Sequence, residues 1–347
     1  MTRRILIVGY GAFGALHAAA WSRLPGVALR VADPDAGARD RAVADGIAAT
    51  HVFGTMSEAL QDADLVDIVS PPHSHADEAA MALRAGLPVL LEKPATRTRA
   101  EAARLADLAG AIPVQVNMIL RAHPLTLRAR DLLTEGAIGR LVAMCGDFSG
   151  WKRMRADSSL IQNDGVHFLD LMRHLARSPI VGVDASATAH LGGPVADDIR
   201  IDTRHASGVR GELRLGLLRG GLVADSVVPG AMTRKELLLC GDGGILHLDY
   251  NRNRLTHAPA RYALQPGGWH PVPGPLTTED VPDLTTMSLL SSVFAAFLEA
   301  LDKGAPPLCD LAEGAVALAG VTDAIAVSLA RTARPLTPVA PDLEAAK

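Results

Sequence analysis

Apolar residues follow two different rhythms along this chain. Through the first 120 residues, short apolar runs at 5–8, 27–32, 65–69, 89–91 and 114–116 alternate with Ala-rich segments of helical spacing, such as 15–23 and 75–85. Short apolar runs bounded by turn residues predict buried strands, and strands alternating with helices imply right-handed crossovers and a parallel sheet. Ser74, with Asp77 three residues on, predicts a capped start for the helix at 75–85, and Gly86 predicts its end.

Beyond residue 120 the pattern changes. Helical spacing continues at 125–135, ended by Gly136, and at 165–176. Strand-like alternation then takes over. The runs 199–205 and 209–217 flank Ala206-Ser207-Gly208, and 236–240 and 245–249 flank the glycine-rich 241–244, so two hairpins are predicted. The segment 258–283, rich in Pro and Gly, reads as a long surface loop. Helices return at 288–302 and 311–330. The expected architecture is α/β: a doubly wound parallel sheet of the Rossmann type over 1–120, then an α+β domain over 121–347 with a mostly antiparallel open sheet.

Composition narrows the classes. A chain of 347 residues, 48% hydrophobic and 21% charged, suits two globular domains. A net charge of -4 gives no reason to expect nucleic acid or an anionic membrane as partner. Cys145, Cys240 and Cys309 are far apart and form neither a disulfide framework nor a metal spacing, which fits a reducing compartment. The N-terminus runs directly into a strand, too short a lead for a signal peptide, and no apolar stretch looks long enough to cross a bilayer. A cytoplasmic protein is expected.

The stretch Gly9-Tyr10-Gly11-Ala12-Phe13-Gly14 follows a predicted strand and opens a predicted helix. That context turns a weak glycine match into a dinucleotide-binding fingerprint. Gly9 allows the tight turn, Gly11 lets backbone approach a pyrophosphate, and Gly14 lets helix pack on strand. The helix N-terminus offers N–H groups to phosphate. Asp33 and Pro34 end the second strand, 19 residues past Gly14 for Asp33, where an acid holds ribose hydroxyls. A 2′-phosphate would meet Asp33 head-on, so NAD is favoured over NADP, with Arg39 and Arg41 close enough to keep NADP open.

Two further groups carry acid–base potential. Lys93 follows a strand at Leu91-Glu92-Lys93-Pro94, and strand C-termini are where ligands bind in such sheets. In 163–175, helical spacing puts Asn163, Asp164 and His167 on one face, with His167 a natural base at neutral pH. Asp170 and Arg173 are able to pair. Trp151 opens the basic run 151–155, which either binds an anionic substrate group such as a phosphate or uronate, or is a solvated loop. Trp151 and Trp269 are candidates for stacking on a sugar face. His73 and His75 lack a third ligand, and no metal is expected.

These residues resemble the Gfo/Idh/MocA oxidoreductases, the glucose–fructose oxidoreductase and inositol dehydrogenase family. The resemblance rests on the glycine fingerprint, SPPHSHADEAAMALRAGLPVLLEKP, RAHPLTLRARDLLTEGAIGRL, DGVHFLDLMRHL and the closing helices, and covers nearly the whole chain. It implies that Lys93 and His167 face the hydride-bearing carbon, and Asp164 is the further catalytic candidate. It also implies that Ser70, Pro71 with Pro72, His75, Glu92, Lys93 and Asn117 line the cofactor, and that Lys93, Arg121, Trp151, Asn163, Asp164 and His167 meet substrate. The implied activity is NAD(P)-dependent oxidation of a secondary hydroxyl on a sugar or polyol, in a homodimer or homotetramer whose second domain binds substrate and joins the subunits. The chain departs from the family at Asn163, where an aspartate often stands four residues before the histidine, and at Ala122, where an aromatic often follows. Either Asp164 takes over the aspartate's role or Asn163 only orients substrate. Two other readings stay open: a non-catalytic cofactor sensor on this fold, and a reductase of a ring imine, diol or tetrapyrrole.

Overall fold

The computed structural model describes residues 2–154, 158–193, 195–225 and 230–332. The first sheet is built from β1 (Arg3–Val8), β2 (Val27–Ala32), β3 (Val52–Phe53), β4 (Leu65–Ile68), β5 (Val89–Leu91) and β6 (Val114–Val116), all parallel in the order β3-β2-β1-β4-β5-β6. The connecting helices are α1 (Ala12–Trp21), α2 (Ala36–Ala44), α3 (Met56–Ala59), α4 (His75–Arg84) and α5 (Arg99–Ala109). The order reverses between β1 and β4, so the strand C-termini open a crevice there. The two-residue β3 is too short to leave a pattern in the sequence. Ser74 does not cap α4: its backbone is already helical and its hydroxyl makes no cap bond. Gly86, at φ +75°, ends the helix as expected.

Next come α6 (Pro124–Thr134), β7 (Leu141–Trp151), a π turn at Ile161–Gly165, α7 (Val166–Ala176), β8 (Ile180–Thr188), β9 (Asp198–His205) and β10 (Arg210–Gly216). They are followed by β11 (Val223–Ala224), β12 (Met232–Gly241), β13 (Gly244–Asp249), β14 (Arg254–Gln265), β15 (Gly268–Pro273) and β16 (Thr277–Asp280). The second sheet runs β15-β14-β13-β12-β7-β10-β9-β8, antiparallel except for the parallel pair β7 and β10. Its inner face carries Met144, Leu213, Leu215, Leu237, Leu239, Leu246 and Leu248, all fully buried. Helices α6 and α7 pack on that side. Gly146 makes the approach of α7 possible, since a Cβ there would lie 2.8 Å from the Phe168 ring.

The expected loop at 258–283 is instead strand for most of its length. β14 and β15 form a hairpin turned by Gly267 and Gly268, at φ +98° and +130°. The prolines that suggested a loop sit where an edge tolerates them: Pro271 and Pro273 lie on β15, the outermost strand. The same hairpin carries Trp269, which is separated from β7 by β12, β13 and β14.

The chain closes with α8 (Thr286–Lys303) and, after a π turn at Ala312–Ala317, α9 (Leu318–Thr332). Thr285 and Ser288 form a capping box at the start of α8. α8 returns to the first sheet, where Leu290, Val293, Phe294 and Phe297 join a buried cluster with Ile5, Ile7, Trp21 and Leu90. The Phe294 ring stacks on Trp21 at 4.4 Å. Contrary to the sequence reading, the run Ala312–Arg331 is long and apolar enough, at mean hydropathy 1.5, to cross a bilayer by length and composition. Its Leu318, Val321 and Ile325 are spent on the protein core.

Candidate active site

The glycine turn is shaped by contacts only glycine permits. A Cβ on Gly9, at φ +94°, would lie 2.7 Å from the Ser70 backbone nitrogen, and one on Gly14 would lie 2.1 Å from the Gly9 carbonyl oxygen. A Cβ on Gly11 would meet nothing within 4 Å. No side chain caps α1. The turn is therefore tight on its protein side and open in front of a helix N-terminus, a shape that fits a pyrophosphate. Ala12 is exposed and Phe13 half-buried. Tyr10 departs from the expectation in part: its side chain is buried, with the hydroxyl donating to Asp45 at 3.0 Å, so only its backbone faces the turn.

Asp33 accepts from the Tyr10 N–H at 2.6 Å and from the Asp35 N–H at 2.8 Å, which fixes its carboxylate at the end of β2. Arg39 donates to the carbonyls of Asp33 and Pro34, both at 2.9 Å, and Arg41 approaches the Tyr10 carbonyl at 3.4 Å. Both arginines thus belong to the same strand end as Asp33.

On the other side of the crevice, Ser70 donates to Glu78, and Pro71 and Pro72 lead into α4. His75 is a buried strut, its Nε2 2.8 Å from the Ser70 carbonyl and its Nδ1 2.9 Å from that of Pro94. Burial lowers its pKa. His73 is exposed, so the two histidines point to different surroundings.

Glu92 belongs to a buried polar network that sequence reasoning missed. His17 Nδ1 lies 2.9 Å from Asp67 and its Nε2 lies 3.4 Å from Glu92. Trp21 donates to Asp67 at 2.7 Å, and Asn117 donates its amide to Glu92. The Lys93 N–H donates to the same carboxylate at 3.0 Å. Burial works against a charge on His17, but Asp67 and Glu92 outweigh it and raise its pKa to about 9. Burial likewise pushes Glu92 up, and His17, Lys93 and Asn117 outweigh that to lower it. One signal was present in the sequence: Asp67 interrupts a buried apolar run, and a buried carboxylate needs a partner. The Asn117 Oδ1 is buried without a hydrogen-bond partner among the described residues, an acceptor that suits the amide of a nicotinamide.

The peptide bond between Lys93 and Pro94 is cis. Lys93 reaches across to the second domain, where its Nζ donates to the Asn163 carbonyl at 2.9 Å. That carbonyl lies in the π turn before α7, where the i→i+5 pattern disturbs the usual helical pairing. Gly165 packs closely on β10, since a Cβ there would approach Leu215 Cδ1 at 2.9 Å. One turn on, His167 is half-buried, and its Nδ1 has no hydrogen-bond partner among the described residues. Burial, then the charges of Lys93, Lys235 and Lys152, push its pKa well below the ordinary histidine value. The Phe148 ring centre is 6.2 Å from that of His167, with the Lys152 and Lys235 amines 4.8 and 5.3 Å from the Phe148 centroid.

Asp164 is buried and paired with Lys152, and the Asn163 amide donates to it at 3.3 Å. Its carboxylate is thus committed to Lys152 rather than to His167. Trp151 is 60% exposed, with its indole N–H on the Leu218 carbonyl at 3.3 Å. In the basic run, Arg155 lies outside the described residues. Arg121 is not brought to the site: it is 1% exposed and forks onto Asp170 at 2.6 and 2.8 Å. It also binds the Leu308 carbonyl and Glu313. A buried guanidinium requires such a planar partner. Asp170 therefore pairs with Arg121 and not with Arg173, which donates to the Glu313 carbonyl at 3.2 Å.

Residues 3–119 match the model of an oxidoreductase family with an NAD-binding Rossmann fold, and residues 126–225 match a GFO/IDH/MocA C-terminal domain. The chain is 34% identical over 201 residues to inositol 2-dehydrogenase 2 of Saccharopolyspora erythraea, covering 55% of this chain and 57% of that one. It is 35% identical over 180 residues to the rhizopine catabolism protein MocA of Rhizobium meliloti, covering 50% and 55%. The matched region thus spans little more than half the length of these relatives. Among solved structures, a levoglucosan dehydrogenase in complex with NADH is similar at TM-score 0.80 and 21% identity, covering 95% of this chain and 98% of that one. An oxidoreductase from Agrobacterium radiobacter in complex with NAD+, L-tartaric acid and magnesium is similar at TM-score 0.79 and 18% identity, covering 95% and 97%. At these identities the structural likeness speaks for the fold.

Proposed function

From the premise that the chain belongs to the Gfo/Idh/MocA oxidoreductase family, we propose that it oxidises a secondary hydroxyl of a sugar, polyol or sugar derivative with NAD as hydride acceptor. The observation that carries this reading is the hydrogen bond from Lys93 Nζ to the Asn163 carbonyl, which brings the end of β5 against the turn that presents His167. That contact supports assigning the two candidate proton-handling groups to one site.

The cofactor would be held by the open face at Gly11, the N-terminus of α1, Asp33, and the pocket of Ser70, Glu92 and Asn117. When bound, NAD supplies the nicotinamide carbon that accepts a hydride. The protein's own residues do the rest. Lys93 donates a hydrogen bond to the substrate oxygen and stabilises the charge that develops as its proton leaves. His167, neutral at ordinary pH, accepts that proton. The balance is a secondary alcohol and NAD+ giving a ketone, NADH and a proton. The network of His17, Asp67 and Glu92 fixes the backbone of Lys93 from beneath. Asp164, held by Lys152, shapes the wall of the site.

The division into a cofactor domain over 1–120 and a substrate domain over 121–347 goes with this reading. So does self-association, supported by exposed Tyr262, Leu264 and Trp269 on the β14–β15 hairpin. A cytoplasmic location fits use of the NAD pool. The reading is tested by incubating the protein with NAD+ and a panel of inositols and aldoses and following NADH at its absorbance band. Substrate-dependent NADH formation is expected. NADH binding without turnover of any sugar or polyol would favour the non-catalytic sensor.

A further inference from the structure

A recess open to solvent, whose roughly 290 Å³ of empty space includes that open side, is lined in part by Lys152 and by Asn163, the residue whose carbonyl meets Lys93. Its polar lining is supplied by Lys152, Arg153, Ser158, Ser159 and Asn163, and its apolar floor includes Leu160 and Leu217. Among the described lining residues there is no carboxylate. Lys152 and Arg153 can only donate hydrogen bonds, and the serines can donate as well. The Ser158 hydroxyl oxygen is buried and has no hydrogen-bond partner among the described residues. Lys152 has an 8% exposed side chain and is anchored from behind by Asp164, which uses one of its three N–H groups. Arg153 is exposed at the rim.

We propose that this cavity receives an acidic group of the substrate, a carboxylate or a phosphate, so that the enzyme oxidises an acidic sugar derivative rather than a neutral polyol. The inference rests on the dehydrogenase reading above. Donors of this kind reward an anion with charge-assisted hydrogen bonds, whereas a neutral polyol also needs acceptors for its own O–H groups. Asn163 supplies the geometric link. It lines the recess and its carbonyl meets Lys93 Nζ, so a group seated on Lys152 and Ser158 belongs to a molecule that reaches toward the Lys93 and His167 pair. Arg153 at the entrance would draw an anion toward the site.

The test compares kcat/KM with NAD+ for three matched arms: neutral sugars and inositols, sugar carboxylates such as glucuronate and gluconate, and sugar phosphates such as glucose 6-phosphate. One acidic arm should exceed its neutral counterpart by about 10-fold or more, and which one it is separates carboxylate from phosphate. R153Q should raise KM for that acidic substrate several-fold while kcat moves less, and added salt should weaken the preference. Titration calorimetry of the acidic substrate into the NADH-bound protein should show the same weakening in R153Q. Neutral substrates equal to or better than both acidic arms would overturn the anion site and leave the dehydrogenase reading standing. No NADH from any arm, with NADH still binding, would overturn both.

Discussion

His167 is to take a proton while lysine amines surround it, and that sets the most local predictions. Its pKa lies well below the ordinary value because of burial and the Lys93, Lys235 and Lys152 charges. The imidazole therefore stays neutral to lower pH than an ordinary histidine, and the acid limb of kcat/KM for oxidation should fall correspondingly lower. Lys93→Met removes the strongest-acting of these charges and, on the proposed function, the hydrogen bond to substrate. Turnover should drop by roughly 10²-fold, NADH binding should persist, and the acid limb of the residual activity should move up. A pH profile of the variant checks both; unchanged turnover would remove Lys93 from the chemistry. His17 carries the opposite shift. Its folded pKa of about 9 lies above the ordinary 6.5, so its stabilisation is complete below pH 6.5 and is lost as the pH rises toward 9. Urea unfolding should show stability declining across that window by on the order of 3 kcal/mol, and His17→Gln should flatten the slope. Asp33, fixed by the N–H groups of Tyr10 and Asp35, should make NADH a tighter ligand than NADPH in a fluorescence titration. Tighter NADPH would mean that Arg39 and Arg41 turn outward to the 2′-phosphate.

At the scale of elements, the first sheet was legible because its strands are largely buried and read as short, mostly apolar runs, all but the two-residue β3. The hairpins at 206–208 and 241–244 were legible from turn chemistry. The β14–β15 hairpin was not, because prolines and glycines that serve an edge strand look the same in sequence as those of a loop. Nor did local spacing show where α8 goes. Its return to Ile5 and Trp21 is a contact across nearly the full chain length. The site divides in the same way. Gly9, Gly11, Gly14, Asp33 and Lys93 stand at positions tied to strand ends, and His167 in the first turn of a helix with its own spacing, so they could be picked out by spacing. The partner of Asp170 could not, since Arg121 is 49 residues away, and neither could the commitment of Asp164 to Lys152. Arg121 joins α7 to the π turn at Ala312–Ala317 through Asp170 and Glu313. Arg121→Met should leave the Asp170 carboxylate buried and alone, and cost about 3–5 kcal/mol in urea unfolding. A variant as stable as the parent would show that the clamp is dispensable.

For the whole molecule, the account requires the two sheets to act as one device. In that account the parallel sheet holds the cofactor at its strand C-termini, the second sheet carries α7 on its inner face, and Lys93 spans the gap between them. Arg200, Asp202, Glu212 and Arg214 form ion pairs along and across β9 and β10. The central claim is hydride transfer from a carbinol carbon at the Lys93 and His167 site. It is tested most directly by giving the protein NAD+ and a substrate found in the panel above, carrying deuterium on the carbinol carbon, and reading the reduced cofactor by mass spectrometry. The account predicts one deuterium retained in the NADH and a slowed rate, both lost together in a Lys93→Met and His167→Ala double variant that still binds NADH. Reduced cofactor without deuterium, or bound NAD+ that no sugar, polyol or sugar acid reduces, would contradict it.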